Sequence, residues 1–327
     1  MVRKGPGDNA AKQDRESKVK IMSKIYDMII VGGGPGGYTA ALYGARAGLK
    51  VLVLEKLSAG GQMALTSQID NYPGFTDGVD GFELAEHMQQ QAERFGAETE
   101  LTEVTALHPE GKVKSVETVD GIFYGKTIVI ATGANPRELG IPGEKQLVGR
   151  GVNYCAACDG MFYRNKSVVV VGGGNTAAAD ALLLSRIAKK VIIVHRRDTL
   201  RATKIYHEPL MKAANVEFHW NSTVSDFIYD QKVSAVKIKH VNSHEETTIP
   251  CDGVFVSVGR VPATDLVRGL LELDPSGYII ADESTRTNLP GVFAVGDVRT
   301  KVLRQVVTAV ADGAMAVHYA EEYLAEQ

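Results

Sequence analysis

Two cysteines separated by two small residues, Cys155-Ala156-Ala157-Cys158, are followed at once by Asp159. Small residues between cysteines permit a tight turn that brings the sulfurs together. One sulfur can then attack a partner disulfide while the other resolves the mixed intermediate. Asp159 stands where it can move a proton to or from a leaving thiolate, provided burial raises its pKa. Zinc binding and inert buried thiols are the competing uses of such a pair. Structural zinc takes four ligands, commonly from two such pairs. The only other cysteine is Cys251, with no second pair and no suitably spaced histidines nearby, so no metal is expected. Cys251 precedes the apolar run GVFVSVG and reads as a core residue.

Two glycine-rich turns offer a second chemistry. Gly32, Gly34 and Gly37 form G-x-G-x-x-G, and Gly172, Gly174 and Ala177 form its G-x-G-x-x-A variant. The first glycine makes the tight turn, the second lets the backbone approach a pyrophosphate, and the third small residue allows close helix–strand packing. The helix N-terminus then offers N–H groups to phosphates. The dinucleotide fingerprint expects an acid about 20 residues on, for the ribose hydroxyls. Glu55 fills that place in the first copy; His195 fills it in the second, followed by Arg196, Arg197 and Arg201. A carboxylate there repels a 2′-phosphate, whereas guanidinium groups bind it through charge-assisted hydrogen bonds. The first site is therefore expected to take a dinucleotide with a free ribose, such as FAD. The second is expected to take NADPH in preference to NADH.

The elements that must position these residues occur twice. YDMIIVGGGPGGYTAALYGARAGLKVLVLEK and, 140 residues later, KSVVVVGGGNTAAADALLLSRIAKKVIIVHRR each read as apolar strand, glycine turn, helix and second apolar strand. That is the βαβ pattern of a doubly wound parallel sheet. TIVIATG (127–133), GVFVSVGR (253–260) and GVFAVGD (291–297) read as further strands ending in glycine turns. Strand carboxyl ends are where open α/β sheets bind ligands, so Gly133 and Asp297 join the candidate site. Asp297 could bond a ribitol hydroxyl or serve as a turn or helix cap. The fold class is thus α/β with two Rossmann-like dinucleotide-binding domains.

The chain has 327 residues and a formal net charge of −3, values that fit two domains and give no electrostatic case for nucleic-acid binding. No apolar stretch approaches the length of a membrane span. Residues 1–21 are polar and of mixed charge, lack the apolar core of a secretory signal and read as a disordered extension. Met22 offers an alternative start. One close cysteine pair and one distant cysteine fit a reducing compartment, and a cytoplasmic location is expected.

GGGPGGYTAALY, GGQ at 60–62, DNYPG at 70–74, ATGANPR, CAACDGMFYRNK, GGGNTA, HRRDTLRA and GDVRTKVLRQVVTAVADGA follow one another in order. From residue 22 to the end, the chain resembles the low-molecular-weight thioredoxin reductases of the pyridine nucleotide-disulfide oxidoreductase family. The resemblance implies an NADPH domain (135–262) inserted into a discontinuous FAD domain (22–134 and 263–327). It assigns Glu55, Gly61, Gln62, Asn71, Asp297, Arg304 and Gln305 to FAD. It assigns Asn175, Thr176, Arg196, Arg197 and Arg201 to NADPH. It places Cys158 toward the flavin, gives Cys155 the interchange with a partner disulfide, and makes Asp159 the acid/base residue. Thioredoxin, or a related small disulfide protein, is the implied partner, and a homodimer the implied assembly. Because disulfide and nicotinamide must both reach one flavin face, the resemblance further implies a domain rotation. Gly36 and Ala179 depart from the common pattern, where many relatives carry alanine and an acid. A ferredoxin-driven disulfide reductase and an oxygen-using dithiol oxidase are disfavoured by the second glycine turn and its arginines. A non-catalytic redox-sensing flavoprotein is the remaining alternative.

Overall fold

The computed structural model describes residues 24–66 and 68–327; the extension expected over residues 1–21, and Met22, lie outside the described residues. The chain forms two compact units. One combines the first segment, as far as Asn135, with Pro262–Gln327, and the other is Pro136–Val261.

The first segment runs β1 (Ile25–Val31), α1 (Pro35–Arg46), β2 (Val51–Glu55), α2 (Gly81–Arg94), β3 (Glu98–Leu101), β4 (Val104–His108), β5 (Lys114–Thr118), β6 (Gly121–Ile130) and β7 (Ala134–Pro136). The inserted unit carries β8 (Val152–Asn153), α3 (Ala156–Asp159), β9 (Ser167–Val171), α4 (Asn175–Ser185), β10 (Lys190–Val194), α5 (His207–Lys212) and β11 (Val216–His219). It continues with β12 (Ser222–Tyr229), β13 (Val233–His240), β14 (Glu246–Pro250), β15 (Gly253–Val256) and β16 (Arg260–Pro262). The chain then closes with β17 (Val292–Ala294) and α6 (Val306–Ala325).

The first unit is built on a seven-stranded sheet, β3-β2-β1-β6-β5-β4, with β17 also paired to β6. Strands β1, β2, β3, β6 and β17 run parallel, while β4 and β5 continue from β6 antiparallel. Alternate residues of a strand face opposite sides of a sheet. Met28 and Ile30 of β1 accordingly join a core with Tyr38, Ala40 and Ala41 of α1 and Ala316, Val317 and Ala320 of α6. Ile29 and Val31 join a second core with Leu107, Val116 and Phe123. β6 records the change of environment along its length. It alternates buried and exposed residues beside β5, then is continuously buried over Thr127–Ile130, between β1 and β17.

The inserted unit has a five-stranded parallel sheet, β11-β10-β9-β15-β8, and a separate antiparallel sheet, β12-β13-β14. The valine run of β9 is buried on both faces: Val169 and Val171 pack with the β12–β14 side, Val168 and Val170 with Ala177, Ala178 and Ala181 of α4. Among the described residues, no helix is long and apolar enough to cross a membrane.

Candidate active site

Cys155 and Cys158 are joined as a disulfide, with their Cα atoms 5.3 Å apart. Cys155 caps the single turn of α3, where its Sγ accepts the Cys158 backbone N–H at 3.2 Å and its carbonyl accepts the Asp159 N–H at 3.0 Å. Ala156 is buried and serves as an anchor, while both cysteines are half-buried. Asp159 is half-buried too, and burial pushes its carboxyl from 3.8 up to about 6. Desolvation disfavours the carboxylate, so this acid can exchange a proton near neutral pH. Cys251 is buried, and burial pushes its thiol up to about 12, which leaves it unreactive.

The first glycine turn lies between β1 and α1. Gly32 has φ +106°, and a Cβ there would lie 2.5 Å from the Ala131 carbonyl oxygen. A Cβ on Gly37 would collide with the Gly32 carbonyl, so both must be glycine. Gly34 caps α1 with no side-chain hydrogen bond, and a Cβ on it would meet open space. By contrast, α2 is capped by Asp80, whose Oδ1 accepts the Phe82 and Glu83 amides at 2.9 and 3.0 Å. The first-turn amides of α1 thus lack the side-chain cap that an ordinary helix carries, which fits a phosphate ligand. Glu55 stands at the end of β2; its Oε2 accepts the Gly33 N–H at 2.6 Å and its Oε1 the Leu57 N–H at 3.1 Å. Gly61 lies over Gly34, Gln62 donates to Asn135 at 3.1 Å, and Asn71 donates to Gln305 at 3.0 Å. Gly133 has φ +71°, and its carbonyl accepts the Ala263 N–H at 3.0 Å. The cradle fits FAD.

Asp297, half-buried, sits in the turn after β17. Arg304 is committed to backbone: its guanidinium reaches the carbonyls of Asp297, Lys301 and Arg299 at 3.4, 3.2 and 3.1 Å and stacks on Tyr278 at 4.0 Å. That is a scaffolding arrangement around the turn. Gln305 caps α6 through a reciprocal box with Thr308.

The second turn repeats the design. Gly172 has φ +144°, and the Ala177 Cβ would lie 2.8 Å from a Cβ placed there. Gly174 caps α4, again without a side-chain hydrogen bond. Asn175 Oδ1 accepts the Thr203 N–H at 2.8 Å, and the Gly173 carbonyl accepts the Arg201 N–H at 2.7 Å. These bonds bring the arginine loop to the glycine turn. Thr176, Arg196, Arg197 and Arg201 are exposed around it. His195 is different: it is 4% exposed, its ring fills the space above Gly173, and its Nε2 has no hydrogen-bond partner among the described residues. Burial, reinforced by Arg201, Arg197 and Arg196, pushes its pKa down, so the imidazole is neutral. An orphaned buried nitrogen, an uncapped helix and three exposed arginines fit NADPH.

Sequence reasoning missed two buried polar features. Ser257, at the end of β15, donates to Asp180 of α4 at 2.6 Å. Asp312 of α6 holds Arg299 and Lys301 in an ion cluster. The available signal for the second was the lone acid in the apolar helix VVTAVADGAMAVHYA.

The family model for pyridine nucleotide-disulphide oxidoreductases matches residues 26–313. The chain belongs to this family. It is 45% identical to the thioredoxin reductase of Treponema pallidum (strain Nichols), over 93% of this chain and 98% of that protein. It is 47% identical to the thioredoxin reductase of Listeria innocua serovar 6a, over 93% and 95%. The crystal structure of thioredoxin reductase from Streptococcus pyogenes MGAS5005 matches with a TM-score of 0.85 at 45% identity, covering 93% of this chain and 99% of that one.

Proposed function

We infer that this chain is a thioredoxin-disulfide reductase that uses NADPH and carries FAD. The observation that carries the reading is the Cys155–Cys158 disulfide next to Asp159, inside a unit that also bears an uncapped nucleotide turn ringed by Arg196, Arg197 and Arg201. Glu55, Gly61, Gln62, Asn71 and Asp297 would hold FAD; Asn175, Thr176 and the arginines would hold NADPH. When bound, the two cofactors supply a two-electron path that opens the Cys155–Cys158 disulfide to a dithiol.

The chain's own residues then carry out exchange. In the dithiol form, the Cys158 amide that contacts Cys155 Sγ favours a Cys155 thiolate. That thiolate attacks one sulfur of the partner disulfide, forming a mixed disulfide and expelling the other partner sulfur. Cys158 attacks Cys155 in turn, which restores the internal disulfide and frees the partner's second thiol. Each expelled thiolate needs a proton, and Asp159 is the adjacent group that exchanges one near pH 6. The net change is oxidation of one NADPH and reduction of one partner disulfide, with one proton consumed.

The partner is thioredoxin or a related small disulfide protein, and the same reading takes a cytoplasmic homodimer. The decisive experiment follows flavin bleaching by NADPH and its reoxidation by thioredoxin, then compares NADPH with NADH across a panel of disulfide proteins. Bleaching without reoxidation by any disulfide protein would reject the reductase reading. A monomer in sedimentation would reject the dimer alone.

A further inference from the structure

Asp312 is 4% exposed, and its carboxylate accepts four hydrogen bonds inside the first unit. Gly296 N–H and Arg299 Nε reach its Oδ2 at 2.8 and 3.0 Å, Lys301 Nζ reaches the same oxygen at 2.7 Å, and Arg299 Nη2 reaches Oδ1 at 2.7 Å. Arg299 is 1% exposed and spends its remaining Nη1 donors on the carbonyls of Ala281 and Thr300. Lys301 also donates to the Thr308 carbonyl. Burial would raise the Asp312 pKa, but the Arg299 and Lys301 contacts outweigh it and hold the carboxyl below its usual range.

A buried ion cluster is weak as a stability device, because desolvating the charges offsets most of their attraction and apolar replacements are often as stable. The useful question is what the cluster holds. Its bonds converge on the Gly296–Val298 turn after β17, where Gly296 takes φ +73° and Asp297 follows. Its other side is α6, which at Gly313 packs so closely on α1 that a Cβ would collide with the Gly36 carbonyl. Asp312 therefore ties the turn bearing Asp297 to α1, the helix capped by Gly34.

We propose that Asp312 is a positioning residue for the flavin, holding the Gly296–Asp297 turn in register with the α1 N-terminus. The proposal rests on the reading of this cradle as the FAD site. Replacing its carboxylate by a neutral amide removes the charge and one of the two acceptor oxygens, and sets an NH2 donor against the Gly296 amide and two buried cations, so the turn shifts and Asp297 leaves its place.

The test strips FAD from the full-length protein and re-titrates it in wild type and in Asp312→Asn. The expected result is an FAD Kd raised by about tenfold or more, the scale of a lost charged hydrogen bond. It should come with a changed fine structure of the flavin absorption band, a shifted flavin midpoint potential and an unchanged Kd for NADP+. A purely structural role would lower thermal stability without moving the spectrum or the potential. Glu322→Gln, on the same helix as Asp312, loosens an exposed pair with Arg286 and is expected to change none of these. Should Asp312→Asn fail to fold, the triple variant Arg299→Met, Lys301→Met, Asp312→Leu replaces the cluster with apolar bulk and carries the same expectation. Either variant, folded and binding FAD with wild-type Kd and spectrum, overturns the proposal. Wild-type apoprotein that takes up no FAD overturns the site reading instead.

Discussion

At the tip of the second strand, the first βαβ unit carries Glu55 and the second His195. The glycine beside each shows what that exchange does. The Glu55 carboxylate accepts the Gly33 amide, whereas the His195 ring packs over Gly173 as a buried neutral imidazole. At the sixth residue of the helix after each glycine turn the units differ again. Ala40 is fully buried in the first, beneath a helix that packs closely on α1; its counterpart Asp180 is held by Ser257. The backbone of the turn, with its uncapped helix, is common to both. On the proposed reading, ligand choice lies in side chains just beyond that backbone; the Cys155–Cys158 disulfide belongs to the second unit alone.

The hardest test of this division is Cys158→Ser. It should abolish disulfide reduction, by about three orders of magnitude or more, because no resolving thiol remains. Both dinucleotide sites should still bind, as read by flavin absorbance and NADP+ titration. Loss of flavin binding in this variant would mean the units do not divide the chemistry as described. Next in size is the double variant Arg196→Ala, Arg197→Ala. Two lost charge-assisted contacts should raise the KM for NADPH by about 100-fold while leaving NADH turnover nearly unchanged. Equal losses with both nucleotides would move the 2′-phosphate site elsewhere.

The turns and the cysteine pair were legible in the sequence because local sterics dictate them: Gly32 and Gly37 have no room for a Cβ. The burial of His195 was not legible, since it depends on Gly173 lacking a Cβ and on Trp220 approaching its ring edge-on from a separate strand end. Nor was the Asp312 cluster: a lone acid in an apolar helix marks the position, but only the fold brings Gly296 and Arg299 to it. The β12–β14 sheet likewise carries no residue of distinctive chemistry to announce it. Asp159 lies between these cases, because its position was readable but its titration depends on burial.

That titration gives the third prediction. Asp159→Asn should slow partner reduction by about 100-fold, the scale of a lost general acid–base group, and remove the limb of the pH–rate profile near pH 6. Stability should move the other way. The folded pKa of about 6 lies above the ordinary 3.8, so the stability this acid contributes is full at low pH and lost as pH rises through 6. The asparagine variant should therefore melt higher than wild type at pH 8, by about 2 °C, and not at pH 3.5. A variant that melts lower at pH 8 would show that the carboxylate is stabilising and that Asp159 is not held as a reluctant acid.

The smallest effect comes from exchanging the third small residue between the units. Gly37→Ala places a methyl against the Gly32 carbonyl, and backbone that must shift there also carries the Gly34 cap. Ala177→Gly meets no clash and removes a methyl that already packs against the Gly172 turn. The first should weaken FAD binding and lower stability by a few kcal/mol, about 1–3, as overpacking does. The second should cost only about 1 kcal/mol, from helix propensity and the lost contact, and leave the NADP+ Kd unchanged. Thermal melts with each ligand titrated separately would read both. If the two exchanges proved equally costly, the shared turn geometry would set the tolerance. If they separate as expected, the tolerance is set by how close each helix runs to its strand.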